Sequence, residues 1–373
     1  MRFLSHGVAS LVLAFVFVLT GVLSVAASSP TLPAAPTALA MSKGGKVVAA
    51  GGWINAIHIA LQFNAAAASQ PLTPQVEVQP ANTPFTGTPN FTGKPVTTTG
   101  PVIVHAYGLQ PNRKYHWQAR LQDPAGNVSE WVPFGAGTPY DFGIDQTSPT
   151  RPVISSPTDA RSDAWYNNQV VTLRWQSTDS GSGILGYHYV MERRLHGIKP
   201  GPLTPRAQVN LPHLGDGVWY VAVRAEDRAG NWSAMSTFRL QLLRTPPAFT
   251  WLSPAHFTFN PYRGPTTFRF SVTQTSRVSL ALYRVGSKTP VRTFAFPTVA
   301  AKKVMSITWA GKHGKGFVPK GYYFISARAV DVAGNVAHIN YGGISVQPQR
   351  AVMSATGQPL YPDGGKIIIV SLS

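Results

Sequence analysis

A five-residue segment occurs three times at one fixed interval. Each copy has the form Asp-x-Ala-Gly-Asn, and the copies lie at residues 123–127, 227–231 and 331–335. The interval is 104 residues both times, since 227 − 123 = 104 and 331 − 227 = 104. A period of this length matches one small domain. The sequence therefore predicts one structural unit that is used three times.

A strand pattern precedes each copy, because apolar and polar residues alternate in the run that leads to the aspartate. A period of two places alternate side chains on one face, which predicts a β-strand with one buried face. The opposite face carries Arg120, Arg224 and Arg328 at equivalent positions, as expected where long side chains lie on a solvated sheet. The predicted buried residues are Tyr115, Trp117, Ala119, Leu121, Trp219, Val221, Val223, Ala225, Tyr323, Ile325, Ala327 and Ala329.

Each predicted strand then enters a tight hairpin. Glycine tolerates positive φ, and Asp or Asn can bond nearby backbone N–H groups. A metal site is the alternative, but calcium prefers about six to eight oxygens, and one aspartate recurs per unit. Turn chemistry is also favoured over metal binding for the loop 179–184. The predicted turn residues are Asp123, Gly126, Asn127, Asp227, Gly230, Asn231, Asp331, Gly334 and Asn335.

Composition favours β-structure and excludes cysteine chemistry. The 373 residues include 34 Gly, 32 Pro and no Cys. Short runs of β-branched and aromatic residues between Gly and Pro are typical of all-β sandwiches. Without Cys the chain has no disulfide, no thiolate metal site, no Cys nucleophile and no lipoprotein anchor.

The N-terminus predicts export. Arg2 precedes an apolar stretch from Val8 to Ala27 that ends on small residues. This pattern predicts a signal peptide over residues 1–27, cleaved near Ala27, and a secreted or cell-envelope-associated protein. An uncleaved membrane anchor is the alternative, because the stretch approaches the length of about 20 residues that spans a bilayer. An exported protein without disulfides is most easily bacterial.

Proline-rich stretches divide the remaining chain. Residues 28–46 contain several Pro and a Gly pair, which predicts a flexible leader. Pro-rich joints at 147–152 and 245–247 each follow a repeated turn after room for one closing strand. The predicted domains are residues 47–147, 148–245 and 246–348, followed by a tail over 349–373 with a terminal β-strand.

Particular motifs carry a family resemblance. Leu109-Gln110-Pro111 followed by Tyr115 resembles the fibronectin type III strand in which Leu and Pro precede an inward Tyr. Leu173-Arg174-Trp175 and the loop 179–184 resemble bacterial immunoglobulin-like and fibronectin-like repeats of exported proteins. Trp309-Ala310-Gly311-Lys312 is similar to the immunoglobulin-like domain of the flagellar hook-capping protein. These resemblances imply three tandem immunoglobulin-like, or fibronectin type III-like, β-sandwiches after an N-terminal signal helix, and they say little about function.

The C-terminal run 364–373 is apolar and β-like. It resembles the opening strand of L,D-transpeptidase domains, although the catalytic Cys of that family has no counterpart here. The resemblance implies a truncated, non-catalytic stalk of a cell-wall transpeptidase. An extra edge strand is the favoured interpretation.

Catalytic motifs are absent from the sequence. The 14 carboxylates and 10 histidines are scattered. No Gly-x-Ser-x-Gly, His-Glu-x-x-His, phosphate loop or dinucleotide fingerprint occurs in a suitable context. The protein is therefore predicted not to be an enzyme, with no cofactor, no metal and no small-molecule substrate.

Positive charge is concentrated in the third unit. The formal net charge, which is the number of Lys and Arg residues minus the number of Asp and Glu residues, is 11 − 7 = +4 for residues 148–245 and 12 − 1 = +11 for residues 246–348. The favoured interpretation is a soluble surface whose edge strands do not pair. The alternative is a site for anionic cell-wall polymers or membrane headgroups, with nucleic acid less favoured because export removes the chain from it. The candidate residues for this site are Lys302, Lys303, Lys312, His313 and Lys315.

Two tryptophans beside the repeated turns, Trp131 and Trp232, suggest glycan stacking. A core role is the favoured interpretation, since most Trp residues in sandwiches are buried. Together these observations predict an exported, non-enzymatic spacer or adhesion module at the cell envelope.

Overall fold

The structure is a computed structural model that describes residues 31–66, 70–135, 137–197, 199–349, 352–353 and 359–360. Within those ranges the chain forms β-strands, one 3₁₀ turn at Pro261–Arg263 and no α-helix, which confirms the predicted all-β class. No helix in the described part has the length and apolar character needed to span a bilayer. The predicted signal helix and the predicted strand 364–373 lie outside the described residues.

The described ranges contain thirty strands, which are numbered here in chain order. The first ten are β1 (Thr37–Lys43), β2 (Lys46–Val48), β3 (Gly52–Ile54), β4 (Ile59–Ala65), β5 (Thr73–Pro80), β6 (Phe91–Thr92), β7 (Gly100–Ala106), β8 (Arg113–Gln122), β9 (Val132–Pro133) and β10 (Phe142–Ile144). The next eight are β11 (Val153–Ser155), β12 (Trp165–Tyr166), β13 (Val170–Gln176), β14 (Ile184–Glu192), β15 (Leu203–Thr204), β16 (Gln208–Pro212), β17 (Gly217–Asp227) and β18 (Ser236–Leu242). The last twelve are β19 (Phe249–Trp251), β20 (His256–Phe259), β21 (Thr266–Val272), β22 (Ser276–Arg284), β23 (Pro290–Val299), β24 (Met305–Trp309), β25 (Lys312–His313), β26 (Gly316–Phe317), β27 (Gly321–Asp331), β28 (Val336–Val346), β29 (Val352–Met353) and β30 (Pro359–Leu360).

The chain divides into two compact units. Unit 1 comprises the described residues up to Ala50 together with His58–Gly108 and Tyr115–Asp141. Unit 2 comprises Gly51–Ile57, Leu109–Lys114 and the described residues from Phe142 onward.

Unit 1 contains two groups of paired strands. In the first, β1 lies between β2 and β4, and β4 also pairs with β7. In the second, β5 lies between β6 and β8, and β8 also pairs with β9. Large apolar side chains from both groups, including Leu61, Phe63, Val76 and Trp117, are each 0% exposed. They form the apolar interior of unit 1.

The prediction of a flexible leader over residues 28–46 is wrong for Thr37–Lys43, which forms β1. Met41 pairs with Leu61 of β4 and is 1% exposed. The prolines that suggested a leader stop at Pro36, just before the strand. The strand carries a short apolar run from Ala38 to Met41 between polar residues. It therefore has little alternation of its own, and pairing with β4 supplies the order.

Unit 2 contains the parallel pair β3 and β10 and then one arrangement of sheets twice. First, the three-stranded sheet β11-β13-β16 accompanies the five-stranded sheet β12-β18-β17-β14-β15. Then β19-β21-β24 accompanies β20-β28-β27-β22-β23 in the same order. In each five-stranded sheet one of the two edge strands pairs in parallel with its neighbour, β12 with β18 and β20 with β28. We call these the second and third sandwiches, and their architecture is that of immunoglobulin-like domains.

The predicted inward faces are confirmed on β8, β17 and β27. Eleven of the twelve predicted residues are buried, and Trp219 is half-buried. Trp219 Nε1 donates to Gly215 O at 2.9 Å, and the Tyr323 hydroxyl donates to Pro319 O at 2.8 Å. Each bond reaches four residues upstream, so the aromatic residue at the start of the strand anchors the corner that leads into it.

Candidate functional site

The repeated turn of unit 2 is built by its Asp and Asn. Asp227 Oδ1 accepts hydrogen bonds from the N–H groups of Ala229 and Asn231 at 2.9 and 2.8 Å, and Asp227 Oδ2 accepts one from Asn231 Nδ2 at 2.8 Å. Gly230 has φ of 89°, a conformation that favours glycine. Asp331 makes the same three bonds with Ala333 and Asn335. The turn therefore joins β17 to β18 and β27 to β28 with the same side-chain bonds.

The turn asparagines also hold the segment that precedes each sandwich. Asn231 Nδ2 donates to Asp145 O at 2.8 Å, and Asn335 Nδ2 donates to Leu243 O at 2.7 Å. The structure brings these residues together from positions that are 86 and 92 residues apart in sequence. In unit 1, Asn127 bonds to Asp123 through its N–H and its Nδ2, both at 2.8 Å.

We call the two arrangements joint 1 and joint 2. Joint 1 consists of the segment 145–147, Asp179 and the turn 227–231. Joint 2 consists of the segment 243–245, Gln274 and the turn 331–335. The two correspond residue by residue, because the N–H groups of Asp145 and Leu243 donate to carbonyls at equivalent strands, Ile54 O and Tyr166 O, each at 2.9 Å.

Three carboxylates meet at joint 1. Asp145, Asp179 and Asp227 each offer an oxygen, and these oxygens all lie within 4.8 Å of one another. Asp145 and Asp227 are 0% exposed, whereas Asp179 is half-buried. No ion pair among the described residues includes any of the three. Joint 1 therefore holds like charges at short range, and no described Lys or Arg pairs directly with them. The Arg228 guanidinium of the same turn donates to Ser182 O at 3.2 Å instead.

Hydrogen bonds orient the cluster without using all of its oxygens. Asp145 Oδ1 and Oδ2 accept from the N–H groups of Thr147 and Ser182 at 2.9 and 2.6 Å. Asp179 Oδ2 accepts from the N–H groups of Gly181 and Gly183 at 3.1 and 2.7 Å. Asp179 Oδ1 is sealed from solvent and receives no hydrogen bond from any residue that the structure describes. A Cβ on Gly181 would overlap the Asp145 carboxylate, so glycine is needed for this close approach.

The environment shifts two of the carboxyl groups in opposite directions. Burial raises the pKa of Asp227 above its ordinary value, the charges of Asp145 and Asp179 raise it further, and the hydrogen bonds from Asn231 oppose both. For Asp145, burial also acts to raise the pKa, but the hydrogen bonds from Ser182 and Thr147 outweigh it, so that pKa lies below its ordinary value.

The donor set of joint 1 consists of carboxylate oxygens, which suits a hard divalent cation such as Ca²⁺. Sequence reasoning missed this cluster because it counted acids within one repeat. Asp179 lies 34 residues after Asp145, and Asp227 lies 48 residues after Asp179, so no local spacing signals the site. The loop 179–184 is a turn in the structure, as the sequence suggested, and its first residue also faces two other carboxylates.

Joint 2 has the same backbone contacts without this cluster. Leu243 stands at the position of Asp145, and Gln274 at the position of Asp179. The second match follows from the preceding threonines, because Thr178 and Thr273 each pair with the start of the following segment. The Thr150 N–H donates to Thr178 O and the Thr178 N–H to the Thr150 hydroxyl, whereas the Thr273 N–H donates to Ala248 O and the Ala248 N–H to the Thr273 hydroxyl. Gln274 Nε2 donates to Thr245 O at 2.9 Å, which ties it to the segment between the sandwiches.

Unit 1 contains a buried carboxylate that is fully partnered. Glu77 is 0% exposed and accepts hydrogen bonds from the side chains of Gln79, Gln118 and Thr86 and from two backbone N–H groups. Burial acts to raise the pKa of Glu77, but these bonds outweigh it and lower the pKa to about 2. Glu77 therefore has a complete set of donors, which Asp179 lacks.

The five basic residues predicted to bind anions do not form one cluster. Lys302 and Lys303 precede β24, whereas Lys312, His313 and Lys315 follow it on the β25–β26 hairpin. A five-residue strand is about 17 Å long, so the two groups lie at opposite ends of β24. All five are exposed.

Basic side chains cover several surfaces of the third sandwich. Arg269 is exposed on the three-stranded sheet, and Arg277 and Arg328 are exposed on the five-stranded sheet. The one acidic residue of 246–348, Asp331, is 6% exposed and is engaged in its turn. The surface of this sandwich is therefore cationic without carboxylates to neutralise it.

The two tryptophans proposed for glycan stacking are covered by side chains of the same chain. The Arg120 guanidinium lies 4.4 Å from the ring centre of Trp131, and the Arg224 guanidinium lies 5.6 Å from that of Trp232. The His188 ring also stacks on Trp232 with centroids 4.2 Å apart. Each indole thus uses a face for an intramolecular contact.

An open cleft of about 1340 Å³ lies at the side of the second sandwich. Both sheets contribute to it, with Arg174 and Trp175 from β13 and Tyr189 and Met191 from β14. Its described lining contains no Asp, Glu, His or Lys, and its polar side chains include Tyr189, Arg174 and Arg206.

No family model and no curated protein matches the sequence. Among solved structures, the chain is similar to the fibronectin(III)-like modules of Clostridium thermocellum CbhA, with 15% identity, 55% of this chain and 94% of that chain covered, and a TM-score of 0.31. It is also similar to the FN1–FN3 domains of chicken CNTN1, with 11% identity, 83% of this chain and 100% of that chain covered, and a TM-score of 0.22. Neither likeness bears on function, which has to come from the residues of this chain.

Proposed function

We propose that the protein is an exported, non-enzymatic spacer or adhesion module at the cell envelope, retained on anionic wall polymers through its third sandwich. The observation that supports this most is the charge of residues 246–348, which is 12 − 1 = +11 with the single carboxylate buried in a turn. A polyanion approaching this sandwich meets attraction on both sheets and at both ends of β24.

The distribution of this charge favours binding to an extended polymer. The basic side chains are exposed and dispersed, so the attraction is a sum of many weak, salt-sensitive contacts. Screening limits such contacts, because the Debye length falls from about 10 Å at 0.1 M salt to about 3 Å at 1 M. A small anion held in a fixed geometry would instead need convergent donors in a pocket.

The joints support the spacer part of the proposal. In joint 2 the segment between the second and third sandwiches is bonded to the turn by Asn335 and to the loop after β21 by Gln274. Asp216 also accepts hydrogen bonds from the N–H groups of Arg244 and Thr245 in this segment. Several independent bonds restrict the segment, which suits a protein that holds its domains at fixed positions.

Retention on purified bacterial envelopes tests the proposal. The protein without its signal segment is bound to envelopes at low salt and released with increasing NaCl. We expect the pair Lys302→Glu and Lys303→Glu, and separately the pair Lys312→Glu and Lys315→Glu, to lower the salt concentration at half-release. The control pair Arg194→Glu and Lys199→Glu makes the same change in net charge in the second sandwich and should leave release almost unchanged.

Two results would contradict the proposal. Release that does not depend on salt would exclude electrostatic retention. An equal effect of the control pair would show that total charge matters and that the third sandwich has no special role.

A further inference from the structure

We propose that joint 1 is a calcium site formed by Asp145, Asp179 and Asp227. The site goes beyond the proposed envelope retention and does not depend on it. The three residues come from three separate segments, namely the end of β10, the loop after β13 and the turn after β17. The fold brings one oxygen of each to within 4.8 Å of the others.

One oxygen of the cluster is chemically unsatisfied, which favours a bound cation. Asp179 Oδ1 is excluded from solvent and has no hydrogen-bond partner in the described part of the chain, although the other oxygen of the same carboxylate accepts two N–H groups. A buried carboxylate oxygen without a donor is costly, and a bound cation removes that cost. Two fully buried carboxylates beside it add charge that no Lys or Arg among the described residues pairs with.

Joint 2 shows that the acids are not needed to build the joint. There the same turn and the same Asn-to-carbonyl bond form with Leu243 and Gln274 in place of Asp145 and Asp179. The turn therefore does not require the two extra carboxylates of joint 1. They accept N–H groups of Thr147 and of the 181–183 loop, and concentrating them at one point still opposes folding unless a cation binds.

The chemistry of the donors selects the cation. Three carboxylates with nearby backbone form a hard oxygen site, without the His or Cys that zinc and copper prefer. Ca²⁺ accepts irregular oxygen cages, whereas Mg²⁺ demands a near-ideal octahedron. Bound Ca²⁺ would connect the segment after β10 to the loop and turn of the second sandwich, which would make joint 1 dependent on calcium.

Calorimetric titration of the whole exported chain, stripped with EDTA and dialysed, tests the site. We expect one Ca²⁺ per chain with a Kd of about 0.1–1 mM, the range of extracellular modules, and a higher Tm in CaCl₂ than in EDTA. Asp179→Asn keeps an oxygen for the Gly181 and Gly183 N–H groups but removes a ligand charge, and it should weaken binding at least tenfold. Asp163→Asn removes an equal charge from an exposed residue outside the cluster and should bind as the unsubstituted protein does.

Joint 2 provides a second test. The double substitution Leu243→Asp and Gln274→Asp reproduces the joint 1 cluster around Asp331, and it should raise the stoichiometry from one Ca²⁺ to two. Failure of the unsubstituted protein to bind Ca²⁺ up to 10 mM, about ten times the weakest Kd of that range, would overturn the proposal. Equal binding by Asp179→Asn would do the same, and equal affinity for Mg²⁺ would overturn the choice of calcium.

Discussion

Joint 1 and joint 2 share one backbone arrangement and differ in the charge of the side chains around the turn. Both place a turn asparagine against the carbonyl of the incoming segment, at 2.8 and 2.7 Å. Joint 1 surrounds its turn aspartate with Asp145 and Asp179, whereas joint 2 has Leu243 and Gln274 there. The comparison separates what the fold requires, which is the Asp-x-Ala-Gly-Asn turn, from what one joint adds, which is a cluster of buried carboxylates.

The position of negative charge also differs beyond the turn. Beside joint 2, the Asp216 carboxylate accepts hydrogen bonds from Arg244 and Thr245 of the segment 243–245. The residue 104 positions earlier is Asn112, which accepts from the Thr147 hydroxyl at 3.3 Å. Asp216 and Asp331 therefore accept hydrogen bonds at joint 2 without lying against another carboxylate of the described residues, whereas the carboxylates of joint 1 accept hydrogen bonds and also lie close enough to repel one another.

The largest expected difference between the joints comes from removing the turn aspartate. Asp331→Ala leaves three donors without their acceptor and should destabilise joint 2 by about 3 kcal/mol, taking about 1 kcal/mol for each bond. Asp227→Ala loses the same bonds but also relieves repulsion from Asp145 and Asp179, so in EDTA it should cost less. Amide hydrogen exchange at Asn335 and Asn231 measures local opening at each joint. Equal losses of protection would show that the cluster carries no repulsion.

A smaller effect is expected from Asp216 in joint 2. Burial acts to raise the pKa of Asp216, but hydrogen bonds from Thr245 and Arg244 outweigh it and hold that pKa below 3.8, its ordinary value. The stabilisation is therefore present above pH 3.8 and is lost as the pH falls through the lower folded-state pKa.

Asp216→Ala should cost joint 2 about 2 kcal/mol at neutral pH, since three bonds are lost at a partly exposed site, and Asn112→Ala should cost joint 1 about 0.5 kcal/mol. Exchange protection of the Arg244 and Thr245 N–H groups measures the first, and that of Thr147 the second. Protection of Arg244 that is unaffected by Asp216→Ala would contradict this role.

The smallest effect is a difference in titration between turn aspartates. The pKa of Asp123 in unit 1 lies below its ordinary value, chiefly because of the hydrogen bond from the Asn127 side chain. Burial and the neighbouring carboxylates place the pKa of Asp227 above 3.8. Asp227 therefore stabilises joint 1 below pH 3.8, and this contribution is lost as the pH rises through its folded-state value.

Carboxyl ¹³C shifts in EDTA should show Asp123 titrating at lower pH than Asp227. The double variant Asp145→Asn and Asp179→Asn should move Asp227 downward and leave Asp123 in place. An Asp227 titration that does not respond to the double variant would show that the three carboxylates do not interact.

Local patterns predicted the parts of the fold that depend on period and turn chemistry. The alternation before each repeated aspartate marks the buried faces of β8, β17 and β27, since a strand buries every second residue. Local patterns did not predict a strand that forms because a neighbouring strand pairs with it. The segment 37–43 has little alternation of its own and becomes β1 because β4 lies beside it.

The sequence by itself determined the all-β class, the inward faces of the repeated strands and the excess of positive charge in residues 246–348, because these follow from local periodicity and residue counts. Only the tertiary structure decided that Asp145, Asp179 and Asp227 meet, and that the basic residues Lys302 and Lys315 lie at opposite ends of β24. The physical reason is distance along the chain. Contacts between segments tens of residues apart depend on how strands pair and loops close, and no local pattern records that.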